Sequence, residues 1–359
     1  MIIPAGKDCS IAVAISGGVD SAVAAALLKE QDQAVFGITM LLPDTSEDSS
    51  KAAALVANRL DIPLHTIDLR DRFSHLIIEP FIASYLEGET PNPCVLCNRL
   101  VKFGLLMEHA RSLGASMLAT GHYARVFRDA DGNPHLMAAI DRKKDQSYFL
   151  AAIGAESLAR AVFPLGEMQG KEQVRELARH YALPVAESKE SQDVCFISEA
   201  GYTDILQKYP ACPTARGLIV HRNGSLLGRH NGFWRFTVGQ RKGLGIAWKE
   251  PLYVLEVQAG RNRIVVGEEQ FLYSPGLVAD EARWFGEMPS GKFEARCKIR
   301  YRHEPVDCSV EPVASGVVKV FFREPQRAVT PGQTLVVYDG YEVLGAATIK
   351  HPVSHADSR

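Results

Sequence analysis

Two groups of residues in this chain have the types and spacing that chemistry needs, and the first follows the first apolar run. It spans Ser16–Ser21, SGGVDS, and stands directly before an Ala-rich segment that favours a helix. Two adjacent glycines let the backbone turn tightly, and hydroxyl groups together with the free N–H groups of a helix's first turn bind anions. The loop therefore predicts a pyrophosphate site, with a plain strand-to-helix turn capped by Asp20 as the alternative.

Other glycine-rich motifs do not fit this loop. No lysine follows the glycines, as a Walker A loop requires, and the Gly-x-Gly-x-x-Gly spacing of a dinucleotide-binding turn is missing. Ala14 stands where a nucleophile elbow needs glycine.

The second group is a pair of cysteines, Cys94 and Cys97, in the segment TPNPCVLCNR. Its two prolines fix an extended approach, after which we expect Cys97 at the start of a helix. The helix dipole, Arg99 and Lys102 would lower the pKa of its thiol and make it a nucleophilic thiolate. A zinc half-site is the alternative, although no second Cys-x-x-Cys or paired histidine cluster completes four ligands.

A third cysteine, Cys195, lies in the polar segment ESQDVCFI, which would leave its thiol accessible. A small buried side chain is the ordinary alternative for such a residue. The chain has seven cysteines, an odd number, and no export signal, so we expect reduced thiols rather than structural disulfides.

The N-terminal half must position these groups, and it alternates short apolar runs with amphipathic stretches. This alternation predicts a parallel sheet covered by helices. The predicted strands are residues 11–15, 35–40, 64–69 and 116–120, and the predicted helices are 22–31, 51–60, 72–86, 98–113, 155–161 and 171–181.

Beyond about residue 210 the sequence changes to short strands with frequent Gly and Pro, which predicts an all-β half. Residues 268–277 are the predicted junction between two β units. We therefore expect three domains: a catalytic α/β domain at 1–208, a central β-rich domain at 209–275 and a C-terminal β-barrel at 276–359.

Composition excludes several classes of protein. With 359 residues, 46% hydrophobic and 23% charged, the chain is typical of a globular protein and unlike disordered, collagenous or disulfide-stapled chains. No apolar run approaches the ~18 residues of a membrane helix, so we expect a cytoplasmic protein with no membrane partner. The net charge of −2 conceals an asymmetry: residues 1–200 hold 19 Lys and Arg against 26 Asp and Glu, and residues 201–359 hold 21 against 16.

Two basic stretches of the second half predict contacts with RNA. Residues 205–249 carry eight Lys or Arg and no acidic residue, with Phe233, Trp234 and Phe236 among them. These rings could stack on bases or fill a β core. In the second stretch cations alternate with apolar residues, which on one strand puts every cation on one face; a solvated barrel surface is the alternative. Its members are Lys292, Arg296, Lys298, Arg300 and Arg302.

The phosphate loop resembles the PP-loop of the N-type ATP pyrophosphatases, which split ATP into AMP and pyrophosphate while adenylating an acceptor oxygen. The motifs SGGVDS, TPNPCVLCNRLVKFG, ATGHYAR, KKDQSYFL and ESQDVCFI, in this order, resemble those of the tRNA-specific 2-thiouridylase family. FTVGQRKGLG at 236–245, RYR at 300–302 and TPGQ at 330–333 match as well, so the resemblance spans about residues 10–350. It implies an α/β fold: a parallel-sheet PP-loop domain like the adenine-nucleotide alpha hydrolases, a small central β domain that binds tRNA, and a C-terminal β-barrel.

The activity that the resemblance implies is that of a tRNA-uridine 2-sulfurtransferase, class EC 2.8.1, acting on the wobble uridine at position 34 of tRNAs for Lys, Glu and Gln. ATP with Mg²⁺ would adenylate the uracil O2. Cys195 would receive sulfur as a persulfide from a cysteine desulfurase or a sulfur-relay protein. Cys97 would be the nucleophile that releases the sulfur, leaving a Cys97–Cys195 disulfide for reduction.

The resemblance also implies binding residues. Those for ATP are Ala14, Ile15, Ser16, Gly17, Gly18, Val19, Asp20, Ser21, Met40 and Gly121, with Mg²⁺ near Asp20 and Ser21. Those for the target base and the tRNA are Asn92, Pro93, Cys94, His122, Lys144, Asp145, Gln146, Arg300, Tyr301 and Gln333.

Cys94 departs from the family's motif, which has Asp at this position as a candidate acid or base. Cys94, Cys97 and Cys195 could together hold a 4Fe-4S cluster with one open iron for a sulfide ligand. A spare thiol is the alternative, so the sulfur step stays open between persulfide transfer and cluster-dependent thiolation.

Two other functions compete with sulfur transfer. An amidating PP-loop ligase would need an ammonia source, and no glutaminase-like domain is evident in the sequence. A catalytically silent RNA-binding or sulfur-carrier protein would have no use for an intact SGGVDS loop.

Overall fold

The computed structural model describes residues 10–43, 47–188, 194–197, 201–209, 212–213 and 215–353. Cys9 lies outside the described residues. Residues 190–193, the first part of the predicted segment around Cys195, lie outside them as well.

The described elements alternate between strands and helices in the first half and are mostly strands in the second. The strands are β1 (Ser10–Ala14), β2 (Ala34–Leu41), β3 (Leu64–Asp68), β4 (Met117–Ala119), β5 (Ala124–Arg128), β6 (Pro134–Ala138), β7 (Ala161–Val162), β8 (Gly217–His221), β9 (Leu226–His230), β10 (Tyr253–Gln258), β11 (Arg263–Gly267), β12 (Tyr273–Trp284), β13 (Phe293–Lys298), β14 (Val306–Ala314), β15 (Val317–Arg327), β16 (Thr334–Asp339) and β17 (Glu342–Pro352). The helices are α1 (Val19–Glu30), α2 (Glu47–Leu60), α3 (Arg70–Phe73), α4 (Glu79–Leu86), α5 (Pro93–Cys97), α6 (Met107–Ser112), α7 (Ser147–Leu150), α8 (Ala155–Ala159), α9 (Lys171–His180) and α10 (Tyr202–Lys208).

The N-terminal half is built on a parallel sheet with the strand order β3-β2-β1-β4-β7. Its central strand, β1, is buried on both faces, with Ile11 and Val13 in one apolar cluster and Ala12 in another. Such strands need a nearly continuous apolar sequence, which is why the first run predicted β1 correctly. The chain leaves β1 toward β2 on one side and returns to β4 on the other. Ligands bind at the carboxyl ends of strands at such a switch point.

A continuous helix carries the predicted cysteine pair. It begins with α5, passes through a π-helical stretch at Asn98–Leu106 and ends with α6. The Asn92 side chain caps it by accepting a hydrogen bond from the N–H of Val95 at 3.4 Å, and Pro93 occupies the first helical position. The helix therefore starts five residues earlier than the predicted residue 98.

The central part of the chain forms a small sheet with the order β10-β11-β8-β9. Its core includes Ile219, Val254 and Ile264, which are buried. Phe233, Trp234 and Phe236 pack in the same cluster, each with less than a tenth of its surface exposed. The interpretation of these rings as core residues is therefore correct, and their interpretation as free stacking faces is wrong.

The C-terminal part is a closed six-stranded barrel with the order β12-β15-β14-β13-β16-β17, which the pairing of β12 with β17 closes. The hairpin β5–β6 of the N-terminal half pairs with β17 and so extends the same sheet. The predicted junction at 268–277 is wrong in its second half, because Tyr273 already begins β12. The predicted fold class, a parallel-sheet α/β domain followed by a small β domain and a β-barrel, is confirmed.

Within the described ranges, no helix has both the length and the apolar character that crossing a membrane requires.

Candidate functional site

The predicted phosphate loop follows β1 at the switch point of the parallel sheet. The hydroxyl of Ser21 donates to the carbonyl of Gly18 at 2.9 Å and accepts from the N–H of Ser16 at 3.2 Å, which closes the loop on itself. Gly17 has a φ of +79°, and a Cβ there would lie 2.7 Å from the backbone oxygen of Ser49, so a side chain would be strained and crowded. The loop ends at the N-terminus of α1, whose first-turn N–H groups are the donors that an anion site needs.

Asp20, in the first turn of α1, forms an ion pair that the sequence analysis missed. The ammonium of Lys171 lies 2.7 Å from each of its carboxylate oxygens, and the hydroxyl of Tyr123 donates to Oδ1 at 2.8 Å. Lys171 is the first residue of α9 and is 7% exposed. A lysine in the first turn of a helix opposes the helix dipole, and this unfavourable position is the sequence signal that could have singled it out.

The oxygen donors of the loop fit Mg²⁺ only together with a nucleotide. Mg²⁺ is usually bound through one or two carboxylates plus substrate phosphates rather than by an all-protein cage. The Asp20 carboxylate and the Ser21 hydroxyl are such donors. They would hold a cation that arrives with phosphates, and this cation would share the carboxylate with Lys171, which contacts both of its oxygens.

Two further residues predicted for ATP border the loop. Gly121 follows β4, and a Cβ on it would lie 2.7 Å from the backbone nitrogen of Ser21 and 2.8 Å from the carbonyl carbon of Asp20. The turn after β4 is therefore pressed against the phosphate loop. Met40 is half-buried near the end of β2, the strand next to β1, so it lies at the same edge of the sheet.

The three predicted sulfur residues are free thiols that lie close enough to influence one another's charge. Cys94 and Cys97 are half-buried in α5, and Cys195 is exposed in its short described segment. The neighbouring Cys195 thiol contributes to raising the pKa of both Cys94 and Cys97. The cysteines that sequence places far apart are thus brought to one site.

The thiol of Cys97 is not the thiolate that the sequence predicted. Burial raises its pKa to about 12, and the ammonium of Lys102 is the group that opposes this shift. Because the helix begins at Pro93, Cys97 lies beyond the first turn, where the helix dipole acts most strongly. Burial also raises the pKa of Cys94. Although Cys195 is exposed as a residue, neighbouring groups partly desolvate its thiol and raise its pKa too, and Lys102 opposes the shift in both.

Arg99, the second cation expected beside Cys97, lines a cavity separate from the thiol site. It borders a cavity of about 530 Å³ between α4, α5 and the barrel, together with Arg283 and Lys350. Burial lowers its pKa, and the guanidinium of Arg283 lowers it further. The prediction that Arg99 activates Cys97 is therefore wrong, because its guanidinium interacts with barrel residues instead.

His122 connects the nucleotide side of the site with the thiol side. Its Nδ1 shares a 2.7 Å hydrogen bond with Oγ1 of Thr120, and its ring lies 6.3 Å from that of Phe103 in the π-helical stretch. Desolvation lowers its pKa well below the usual value, and Lys102 lowers it further, so the imidazole is neutral. Gly121 thus contacts the phosphate loop while the next residue contacts the helix that carries the cysteines.

The residues predicted to contact tRNA, 144–146, form a loop that is fixed by hydrogen bonds to neighbouring backbone N–H groups. Asp145 is 3% exposed and accepts hydrogen bonds from the N–H groups of Ala139 at 3.0 Å and Ser147 at 3.2 Å. The side-chain oxygen of Gln146 accepts from the N–H of Tyr123 at 3.0 Å. Lys144 is half-buried. The loop is therefore fixed to Tyr123, whose hydroxyl reaches Asp20.

Three predicted residues of the barrel lie at its junction with the N-terminal half. The side-chain amide of Gln333 donates to the carbonyl oxygen of Thr90 at 2.8 Å. The ring of Tyr301 packs against Phe149 with centroids 4.3 Å apart, and Arg300 donates to the carbonyl oxygen of Arg327 at 3.1 Å. Of these contacts, the one from Gln333 supports the segment that leads to Asn92, Pro93 and Cys94.

The predicted single cationic face around residue 300 is wrong. β13 ends at Lys298, so the residues after it turn away from the strand's alternation. Lys298 is 9% exposed with a pKa lowered by burial, and Arg296 pairs with Asp307 at 3.5 Å. Arg302 remains exposed. A periodic sequence pattern does not reveal where the strand stops, which is why the prediction failed.

The three cysteines do not form a metal-ligand set as they stand. All of them are among the described residues, and no group of three or more His, Cys, Asp or Glu side chains in that part of the chain is arranged to hold a metal ion. The ligands of the predicted 4Fe-4S cluster are therefore not preformed here.

Three protein-family models match consecutive parts of the chain. They are described as "tRNA methyl transferase HUP domain" for residues 9–199, "tRNA methyl transferase PRC-barrel domain" for 203–268 and "Aminomethyltransferase beta-barrel domain" for 274–349. The tRNA-specific 2-thiouridylase MnmA of Pelobacter propionicus is 54% identical over 343 residues, which cover 94% of this chain and 97% of that protein. The chain belongs to the tRNA-specific 2-thiouridylase family. The thiouridylase MnmA of Trichlorobacter lovleyi is 51% identical and covers 95% of this chain and 97% of its own length.

One of the solved structures that match this thiouridylase-family chain resembles it only loosely. NMN synthetase from Francisella tularensis is 18% identical with a TM-score of 0.35, covering 52% of this chain and 67% of its own. Family membership rests on the sequence relatives, and so loose a superposition carries no argument.

Proposed function

We propose that this protein is an ATP-dependent tRNA-uridine 2-sulfurtransferase of class EC 2.8.1, which thiolates C2 of the wobble uridine at position 34 in tRNAs for Lys, Glu and Gln. One observation carries the proposal: Gly121 lies against the phosphate loop, and the next residue, His122, lies against the helix of Cys94 and Cys97. The turn after β4 thus links the phosphate loop to the helix that carries both cysteines, on which Lys102 acts on His122 and on both thiols.

In the first step, the uracil O2 forms a bond to the α-phosphorus of ATP, and pyrophosphate leaves with the electrons of the broken bond. The Ser16–Ser21 loop and the first turn of α1 bind the phosphates. Ala14, Ile15, Met40 and Gly121 complete the nucleotide site. Asp20 and Ser21 would hold Mg²⁺, which would supply neutralisation of phosphate charge.

In the second step, a persulfide on Cys195 supplies the sulfur. The Cys97 thiolate attacks Sγ of Cys195 and displaces the terminal sulfur of the persulfide. This sulfur bonds to C2 of the uracil, and AMP leaves from the same carbon. The products are 2-thiouridine, AMP and a Cys97–Cys195 disulfide, which an external thiol reduces. The exposure of Cys195 supports its role as the acceptor, because a persulfide donor protein must reach it.

Cys97 must lose its proton to act, and its pKa of about 12 in this conformation makes that step demanding. Lys102 supports the ionised form of Cys94, Cys97 and Cys195 alike, since its charge lowers the pKa of each. We therefore propose Lys102 as the cation of the sulfur site.

The partners we propose are tRNA and a persulfide donor, either a cysteine desulfurase or a sulfur-relay protein. Asn92, Pro93 and Cys94 meet the target base, and His122, residues 144–146, Arg300, Tyr301 and Gln333 border the tRNA. We also propose domain boundaries at 208 and 275. The three described sheets support them, except that the β5–β6 hairpin joins the barrel and that β12 already begins at Tyr273. Two alternatives are less well supported. Thiolation that depends on an iron–sulfur cluster lacks a preformed set of ligands. Methyl transfer, which two of the family descriptions name, would leave the phosphate loop without a role.

The test is mass spectrometry of tRNA nucleosides after incubation with ATP, Mg²⁺ and a persulfide donor. We expect 2-thiouridine at position 34 with the wild type and none with Cys97→Ser or Cys195→Ser, whereas Cys212→Ser, outside the site, serves as the control. Thiolation by both site variants at the wild-type rate would contradict the proposed sulfur path. A preparation that shows iron–sulfur absorption and loses activity with its iron would instead favour the cluster.

A further inference from the structure

Lys171 lies at the phosphate loop although it belongs to a distant helix. Its ammonium contacts both carboxylate oxygens of Asp20 at 2.7 Å, and Asp20 belongs to the first turn of α1. Lys171 and Asp20 are 151 residues apart in sequence. The lysine is almost completely buried, as is Tyr123, whose hydroxyl donates to the same carboxylate.

Stability alone does not account for this lysine. A cation at the start of α9 opposes the helix dipole, and ordering its long side chain costs conformational entropy. Buried ion pairs are often no more stabilising than apolar side chains of similar volume. A pair of apolar residues in place of Lys171 and Asp20 would therefore serve the fold as well, which suggests that the ammonium acts on a negatively charged ligand.

The loop itself supplies no cation for such a ligand. Ser16–Ser21 offers hydroxyl and N–H donors, whereas the Walker A loop adds a lysine that reaches the terminal phosphates of ATP. Here α9 brings a lysine to the first turn of α1, where N–H donors would meet the phosphates.

We propose that Lys171 binds the terminal phosphates of ATP and the pyrophosphate product, in the manner of a phosphate-loop lysine delivered from another helix. This proposal rests on the ATP site of the proposed function. Asp20 holds the ammonium in position before the nucleotide binds, so the side chain is ordered during folding rather than during binding.

The experiment measures the affinities of ATP, inorganic pyrophosphate and AMP for the full chain in Mg²⁺ by calorimetry. We expect Lys171→Met to weaken pyrophosphate and ATP by at least about tenfold, as loss of a hydrogen-bonded charge does, and AMP by less than about twofold. Tyr123→Phe is the matched control, because it removes one hydrogen bond from Asp20 but leaves the cation, and it should bind pyrophosphate nearly as well as wild type.

A second pair of variants separates phosphate binding from neutralisation of Asp20. In an Asp20→Asn background the carboxylate is gone, and Lys171→Met should still weaken pyrophosphate binding, by a smaller factor than in the wild type because Asp20 no longer holds the ammonium in position. This double variant also leaves no unpaired buried carboxylate, so it stays informative if Lys171→Met alone does not fold.

Three outcomes would overturn the proposal: equal loss of AMP and pyrophosphate affinity, no effect in the Asp20→Asn background, or a Tyr123→Phe loss as large as that of Lys171→Met. If the wild type binds neither ATP nor pyrophosphate, the proposed function fails and this inference with it. If the wild type binds both and the lysine variants bind pyrophosphate equally well, the inference fails alone.

Discussion

The side-chain amide of Gln333 donates a hydrogen bond to the backbone carbonyl oxygen of Thr90, 2.8 Å away and 243 residues earlier in the chain. The backbone continues the contact, because the N–H of Thr90 donates to the carbonyl of Pro331 at 2.9 Å. Gly332, with a φ of +86°, fits between them, where a Cβ would lie 3.0 Å from Thr90. A turn of the C-terminal barrel thus holds the segment that leads to Cys94 and Cys97.

We expect Gln333→Leu to slow thiolation by about tenfold, because a small displacement of reacting groups is enough for such a loss. ATP affinity should not change, since the phosphate loop is formed by other elements. Single-turnover thiolation and calorimetry measure the two quantities, and Gln207→Leu on the exposed side of α10 is the control. A fall in tRNA affinity at an unchanged single-turnover rate would mean that Gln333 acts through its place at the proposed tRNA surface and not by positioning the cysteine segment.

Gly121→Ala should weaken ATP binding. The added methyl group would lie 2.7 Å from the backbone nitrogen of Ser21, and overpacking of this kind typically costs about 1–3 kcal/mol. Gly260→Ala is the matched control, because a Cβ there meets nothing within 4 Å. Equal ATP affinities for the two variants, measured by calorimetry, would show that the turn after β4 does not shape the nucleotide site.

The parts of the site that the sequence predicted are contiguous segments. Ser16–Ser21 and the Cys94–Cys97 pair each carry their own signal, because neighbouring residues set the turn, the cap and the helix start. The pairs Lys171–Asp20 and Gln333–Thr90 join residues that only tertiary folding brings together, and no local pattern encodes them.

The same distinction explains the errors in the β half. β12 contains Ser274-Pro275-Gly276 and was predicted as a junction, because proline and glycine usually mark turns. In the barrel this stretch belongs to the strand, and its pairing register with β15 shifts between Ser274 and Gly276. The predicted direction of the Cys97 pKa shift was wrong for a related reason, because the sequence shows nearby charges but does not show burial.

Alkylation should distinguish Cys195 from Cys97. The thiolate is the reactive form, so exposed Cys195 should react with iodoacetamide before Cys97, whose reaction should keep accelerating as the pH rises toward its pKa of about 12. Lys102→Met should slow Cys97 further, because removing the cation raises the thiol pKa, whereas Lys249→Met should not. The readout is the modification rate of each peptide by mass spectrometry, and a Cys97 that reacts as fast as Cys195 near neutral pH would contradict the raised pKa.

Arg302 and Lys298 were equivalent in the sequence pattern, but the structure separates them and predicts different effects on tRNA binding. Arg302 is exposed and able to meet a phosphate, whereas Lys298 is 9% exposed and packs beside Tyr301. Each lost phosphate contact lowers the slope of log affinity against log salt by about 0.7 to 0.9. Arg302→Gln should therefore reduce the magnitude of the slope by the amount expected for about one phosphate contact. Lys298→Gln should leave the slope unchanged and should lower the melting temperature of the protein. Binding of unmodified tRNA titrated at several salt concentrations measures both slopes. If both variants flattened the salt slope equally, Lys298 and Arg302 would both contact tRNA, as the single cationic face predicts. If Arg302→Gln left the slope unchanged, Arg302 would not contact tRNA.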